Sequence, residues 1–346
     1  MPRPLVLTAD QHLLDDLLRL AAAAGVEVEV ADHLAAAAPS WREAPLLIVG
    51  HDRLAEVVAA GLPRRPALLV AGDTLANHPL WRDAMEAGAE HVFFLPDAEP
   101  WLVDRFADAC GTGTRARVVA VLGARGGAGA TSFAVAFALA AARAGRRPIL
   151  VDADPYGGGI DLALGAEDVS GARWDAFADG PPPLSGEALA ATLARCGEVT
   201  VLAWPRSGPA TIPVRTAEAT LAACRRGSDL VVVDLPRCFD ATARSLLGAA
   251  DAALLVCPAE VRAVASGRRV AETAKLLVDD LRVVVRGPAP TRLDATLVAD
   301  ALRLPLAGWL DPEPGIARAL DEGRPPGRAG RGPLAGLCRR LVGELA

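Results

Sequence analysis

Between Val118 and Ser132 the chain passes from an apolar, β-branched run through a glycine-rich turn into an alanine-rich helix, and few backbones accommodate that order. Val118–Leu122 is followed by Gly123-Ala124-Arg125-Gly126-Gly127-Ala128-Gly129-Ala130-Thr131-Ser132. A strand feeding a helix through glycines points backbone N–H groups and a helix N-terminus at one spot, the geometry that receives phosphate. The glycines let a ligand approach the backbone, and the Thr131 hydroxyl is placed to reach a magnesium ion. A tight turn without a ligand is the competing reading.

Two further segments argue for the ligand. Ile149–Pro155 reads ILVDADP, an apolar strand ending in Asp152 and Asp154, and Leu230–Pro236 reads LVVVDLP, ending in Asp234. Carboxylates at the C-terminal ends of parallel strands line the crevice where such folds bind ligands. There Asp152 and Asp234, with Thr131, are candidate magnesium ligands, and Asp154 is a candidate for orienting a water. The plainer role for each acid is to cap the helix that follows.

At 346 residues the chain is long enough for two domains, and 52% apolar against 23% charged residues supplies their cores. Residues 1–110 read as one α/β domain, with strands at Leu5–Thr8, Val26–Ala31, Leu46–Val49, Leu68–Ala71 and His91–Phe94 and helices between them. Gly111–Arg117 reads as a linker. Residues 118–346 form a second α/β run, with strands at Val118–Leu122, Pro148–Asp152, Val199–Ala203, Leu230–Asp234, Ala253–Cys257, Arg282–Val285 and Leu306–Leu310. Helices alternating with strands predict doubly wound parallel sheets in both.

The order RGGAGAT, ILVDADPYGGGIDLALG, LVVVDLP, LLVCPAEVRAVASGRRV and LPLAGWLDPEPGIARALDEGRP resembles the MinD/ParA family of deviant Walker A proteins, whose loop reads KGGxGK followed by Ser or Thr. The resemblance covers about residues 118–345. It implies a P-loop NTPase-like sheet, a nucleotide held by Gly126, Gly127, Ala128, Gly129, Ala130, Thr131 and Ser132, and Mg²⁺ on Thr131, Asp152 and Asp234. The lysine that reaches across the family's dimer falls on Arg125. The second lysine, which contacts the β- and γ-phosphates, falls on Ala130. Of the 36 basic Lys and Arg residues only Lys275 is lysine, so drift to arginine explains Arg125 and not Ala130. Arginine still pairs with phosphate, but alanine removes charge where the transition state needs it, a loss of about 3–4 kcal/mol. After Arg282–Val285 the family often has Asn-Arg near the adenine, where this chain has Val285-Arg286.

The first domain has the strand order and size of a response-regulator receiver (flavodoxin-like). A working receiver needs acids after strand one, an Asp ending strand three and a Lys near strand five. Asp10 stands for the first, strand three ends Val49-Gly50-His51, and Leu95 precedes Pro96 where Lys belongs. Asp52 comes a residue or two late to be a phosphoacceptor. The domain therefore reads as a pseudo-receiver, used for docking or dimerisation. A degenerate receiver before a MinD-like domain resembles the CpaE/TadZ group, and the loop together with GGGIDLALGAEDVSGARW looks like its actinobacterial CpaE-like members, among them septum site-determining (Ssd) proteins. That resemblance implies a spatial regulator or scaffold of septum site selection or of Tad/Flp-type pilus-secretion machinery, with weak or lost ATP hydrolysis. It also implies a homodimer whose partners are division or secretion and pilus proteins, including a secretion ATPase. The alternative is a slow dimeric ATPase in which Arg125 supplies charge in trans and Asp154 orients the water. ATP or ADP with Mg²⁺ is expected to bind weakly, and no cofactor is required by the sequence.

Other features exclude more than they suggest. Six dispersed cysteines without a CxxC pair argue against disulfide frameworks and zinc and for a cytoplasmic protein, one that a septum or pole recruits. The five histidines have no ligand spacing. No basic, apolar leader opens the sequence, and its longest apolar run, Phe133–Ala142, falls short of the roughly 20 residues that span a bilayer. The arginine pairs Arg225-Arg226, Arg268-Arg269 and Arg339-Arg340 read as solvated helix faces, and with net charge −6 a DNA-associated partitioning role is the weakest reading. The stripe Leu334, Leu337, Leu341 and Leu345 reads as packing on its own domain, leaving membrane contact at most indirect.

Overall fold

The computed structural model describes residues 2–72, 78–110, 116–178, 186–208, 210–289 and 293–346. The chain divides into two units, each built on its own sheet. Most of the expected linker, residues 111–115, lies outside the described residues; Arg117 already belongs to a strand.

The N-terminal unit carries β1 (Leu5–Leu7), β2 (Glu29–Ala31), β3 (Leu47–Gly50), β4 (Leu68–Ala71) and β5 (His91–Phe93), in the order β2-β1-β3-β4-β5 and wholly parallel. The strands are short apolar runs because helices cover both faces, so the two-residue period sorts side chains between two cores rather than between core and water. Leu5, Leu7, Leu47, Val49, Leu68 and Val70 pack with Trp41, Leu54, Val57 and Leu80 on one face. Val6, Ile48, Leu69 and Phe93 pack with Leu17, Leu20, Leu102 and Phe106 on the other. This is the 2-1-3-4-5 order of a receiver-like domain.

Among the described residues the second unit has eight strands: β6 (Arg117–Gly123), β7 (Pro148–Asp152), β8 (Ala194–Cys196), β9 (Val199–Leu202), β10 (Leu230–Asp234), β11 (Ala252–Pro258), β12 (Leu281–Arg286) and β13 (Leu306–Leu310). Their order is β13-β12-β11-β6-β10-β7-β9-β8, parallel except for β8. The helix Ala130–Arg143 is buried along nearly its whole length, from Phe133 to Ala142. Its alanines allow close approach to the sheet on one side and to the helix Pro333–Leu345 on the other, while Phe133 and Phe137 stack to fill the remaining volume. A helix apolar all round has to be covered all round. The closing helix does this with Leu334, Leu337, Leu341 and Leu345, all buried. Among the described residues no helix is long and apolar enough to cross a membrane.

The structure departs from the sequence expectation at short elements. β8 is an antiparallel edge strand joined to β9 by Gly197-Glu198, with Gly197 at φ 63°. The short helices Leu34–Ala37, Ile160–Leu164, Gly186–Thr192 and Ile316–Asp321 also add to it. Segments of four to seven residues span too few turns to show helical periodicity, and tertiary packing decides them.

Candidate functional site

The glycine-rich segment forms because β6 stops between two neighbours. Gly123 lies opposite Val256 of β11, and Val121 lies opposite Asp234 of β10. Ala124 N–H still donates to the Val256 carbonyl at 2.9 Å, after which the chain leaves the sheet. Gly127 (φ 71°) and Gly129 (φ 95°) take left-handed backbone that side-chain-bearing residues resist. Gly129 caps the helix and offers no side-chain acceptor, and the first turn holds no acid. The leading N–H groups, over Ala130, Thr131 and Ser132, are thus left to an external acceptor and carry the positive end of the helix dipole.

The acids meet at the same end of the sheet. Asp152 and Asp234 are cross-strand neighbours at the ends of β7 and β10, 2% and 3% exposed. Asp152 accepts hydrogen bonds from the N–H groups of Asp154 and Ile160, both at 3.1 Å. Asp234 accepts one from the Thr131 hydroxyl at 2.7 Å. Burial pushes Asp152 up to about 7 and Asp234 up to about 8, the backbone and Thr131 hydrogen bonds offsetting only part of that. Two desolvated carboxylates beside a hydroxyl are a hard oxygen set lacking a counter-charge, and it fits a magnesium ion. Asp154 is half-buried and accepts from the Tyr156 N–H at 3.1 Å, capping the next turn, and its charge is near enough to push Asp152 and Asp234 up further.

Arg125 is held within its own chain. Its Nη2 donates to both Glu260 oxygens at 2.9 Å, and Nη1 donates to the Gly126 carbonyl at 2.7 Å. Contact across a dimer would require this pair to open. Ala130 offers only a methyl group, 3.6 Å from where a Cβ on Gly123 would stand. Sequence reading overlooked Glu260, although it lies within the LLVCPAEVRAV motif, two residues after β11. It also overlooked Arg237, directly after LVVVDLP, and gave Arg286 no part in the loop. A third omission is Asp161, 3% exposed, which accepts from Arg173 and, at 2.6 Å, from Arg206. Trp174 next to Arg173 donates its indole N–H to the Asp152 carbonyl at 2.6 Å and packs against Trp204. This network braces the loop after β7, and its acid stands within the quoted GGGIDLALG.

In the receiver-like unit Asp10 and Asp52 both make structural hydrogen bonds. Asp10 caps the helix Gln11–Ala23, accepting from His12 and Leu13 N–H groups. Asp52 accepts from the Thr8 hydroxyl and the Ala9 N–H, each at 2.7 Å, tying β1 to the helix His51–Ala59.

Comparison with known proteins agrees with the fold of both units. The family model described as Rv3660c-like, CheY-like N-terminal domain matches residues 7–118. The solved structure of a ParA family ATPase from Chlorobium tepidum TLS is similar with TM-score 0.61 at 15% identity, over 67% of this chain and 100% of that one. The septum site-determining protein MinD complexed with Mg-ADP from Pyrococcus horikoshii OT3 is similar with TM-score 0.56 at 18% identity, over 67% and 99%. These likenesses establish a MinD/ParA P-loop fold for the second unit beside a CheY-like first unit. The Mycobacterium tuberculosis (strain H37Rv) protein Rv3660c is 38% identical over 347 residues, spanning 98% of this chain and 97% of that protein. The chain belongs to the Rv3660c family.

Proposed function

We propose that this protein is a MinD-like spatial regulator or scaffold that binds a magnesium-nucleotide at the Gly123–Ser132 loop with little or no turnover. The observation carrying the reading is the Thr131–Asp234 hydrogen bond beside Asp152, at a phosphate-loop geometry in which Ala130 replaces the cation that phosphoryl transfer uses. The loop's N–H groups would receive the phosphates, Thr131 and Asp234 with Asp152 would hold Mg²⁺, and the bound ion would neutralise phosphate charge. Asp154 would orient a water if any hydrolysis occurs. In this reading the units are a pseudo-receiver of residues 1–110, a linker of 111–117 and a MinD/ParA-like domain of 118–346. The resemblance to CpaE/TadZ and Ssd proteins supports septum site selection or Tad-type secretion as the process, in a cytoplasmic homodimer recruited to septum or pole by division or secretion proteins.

A slow ATPase using Arg125 in trans is the second reading, favoured by the retained cation at that position. Calorimetric titration with Mg-ADP and Mg-ATPγS, run beside a phosphate-release assay, separates them. Binding without release is expected. Turnover abolished by Arg125→Ala would overturn the first reading in favour of the second, and no binding would sink both.

A further inference from the structure

The loop has lost the cation of position 130, yet its electrostatic environment is not neutral. Arg286, the last residue of β12, reaches over it. Its Nη2 stands 3.4 Å from the Gly127 carbonyl, and its Nη1 lies 3.0 Å from where a Cβ on Gly129 would be. The guanidinium therefore covers the glycine that caps the phosphate-facing helix, one residue ahead of Ala130. Its position is fixed by the sheet: Arg286 lies in register with Pro258 of β11, and its carbonyl accepts the Ala259 N–H at 2.9 Å. Arg237 adds a third guanidinium, about 3.9 Å from a Cβ built on Gly126.

The guanidiniums over the loop are not matched by carboxylates paired with them. Glu260 is taken by Arg125. Among the described residues no carboxylate pairs with Arg286 or Arg237, and the Nε atoms of Arg125 and Arg286 are both buried without an acceptor. Burial, and after it the proximity of Arg125, lowers the Arg286 pKa from its ordinary value, though an arginine stays charged throughout the physiological range. With Asp152 and Asp234 left to the magnesium ion, three guanidiniums against the one carboxylate of Glu260 beside exposed backbone N–H groups leave room for a polyanion.

Resting on the proposed nucleotide site, we infer that Arg286 supplies from the end of β12 the phosphate-binding charge that Ala130 does not supply from the helix. The expected ligand class is a di- or triphosphate, and the contact is to phosphate rather than to base. A strand-borne guanidinium reaching from the side serves ground-state binding; a lysine on the helix itself follows the migrating charge of transfer. Affinity thereby persists where rate has been given up.

The test titrates the full chain with two probes, Mg-ADP and Mg-pyrophosphate. Arg286→Ala should weaken both at least about tenfold, the scale of one charge-assisted hydrogen bond. Arg286→Lys should retain part of the affinity, and Arg286→Ala combined with Ala130→Lys should restore it. Melting curves without ligand should match wild type, since among the described residues the Arg286 side chain makes only one long hydrogen bond; if they do not, the comparison of Arg286→Lys with wild type carries the test. Loss of Mg-ADP binding with unchanged pyrophosphate binding would assign Arg286 to the base and overturn the inference, as would wild-type affinity in Arg286→Ala. If wild type binds neither probe, the nucleotide reading itself falls and takes the inference with it.

Discussion

Asp234→Asn should stabilise the ligand-free protein at neutral and alkaline pH, although it removes a residue placed to hold magnesium. The carboxyl is 3% exposed, lies beside Asp152, and accepts only the Thr131 hydroxyl among the hydrogen bonds of the described residues. Burial raises its pKa from 3.8 to about 8. A carboxyl whose folded value is raised holds its proton more tightly folded than unfolded. Its favourable contribution is complete below about pH 4 and is lost as pH climbs to about 8. At about 1.4 kcal/mol per pH unit the loss is bounded at about 6 kcal/mol, and sharing with Asp152 and local relaxation leave about 2 kcal/mol recoverable by the neutral isostere. For a domain of this size that is a Tm gain of about 4–8 °C. The assay is thermal melting of wild type and variant at pH 5 and pH 8, with and without millimolar magnesium. The variant should gain at pH 8, gain little at pH 5, and lose the magnesium response. Equal pH dependence in both proteins, or a lower Tm for the variant at pH 8, would refute the argument that these acids are short of a counter-charge.

Other expected outcomes rest on single contacts. Asp161→Asn strips the carboxylate from Arg173 and Arg206 and should cost about 3 kcal/mol in urea denaturation. Gly165 sits at φ 62° with the Gly323 carbonyl oxygen 2.1 Å from any added Cβ, so Gly165→Ala should lower Tm by several degrees, read by calorimetry. Incubation with acetyl phosphate should leave Asp52 unmodified by intact-mass measurement, since Thr8 and Ala9 occupy its oxygens, and Asp52→Ala should destabilise the first unit by about 1–2 kcal/mol.

What was legible in the sequence follows from how local each determinant is. The long strands and the helix after the loop were readable because a parallel strand buried on both faces is a continuous apolar run and the Ala-rich helix is apolar all round. Their partners in the sheet were implied by alternation alone. β8 was not anticipated, though Cys196-Gly197-Glu198-Val199 carries the glycine of a two-residue hairpin, because one three-residue edge strand has no pattern of its own. The geometry that unites Thr131, Asp152 and Asp234 could be expected from motif order. Their state of charge could not, since it depends on burial. Glu260's hold on Arg125 and Arg286's reach over Gly129 join residues 135 and 157 positions apart, and nothing in local composition marks them.

Under the proposed reading, losing the helix lysine while keeping an arginine at the strand end changes the kind of switch the loop can be. A cation that follows charge into the transition state is worth about 10²–10³ in rate, whereas occupancy requires only ground-state charge balance. A site that binds and rarely hydrolyses does not reset itself. Its bound fraction follows ligand concentration, contributing about 2.7 kcal/mol to the bound conformation at a hundredfold excess over Kd. In the same reading the receiver-like unit has undergone the same change, with Asp10 capping a helix and Asp52 tying β1 to the helix beside it. Neither unit then carries a chemical clock. Timing must come from whatever engages their surfaces, so variants that restore chemistry, Ala130→Lys first among them, should alter how long a complex lasts more than whether it forms.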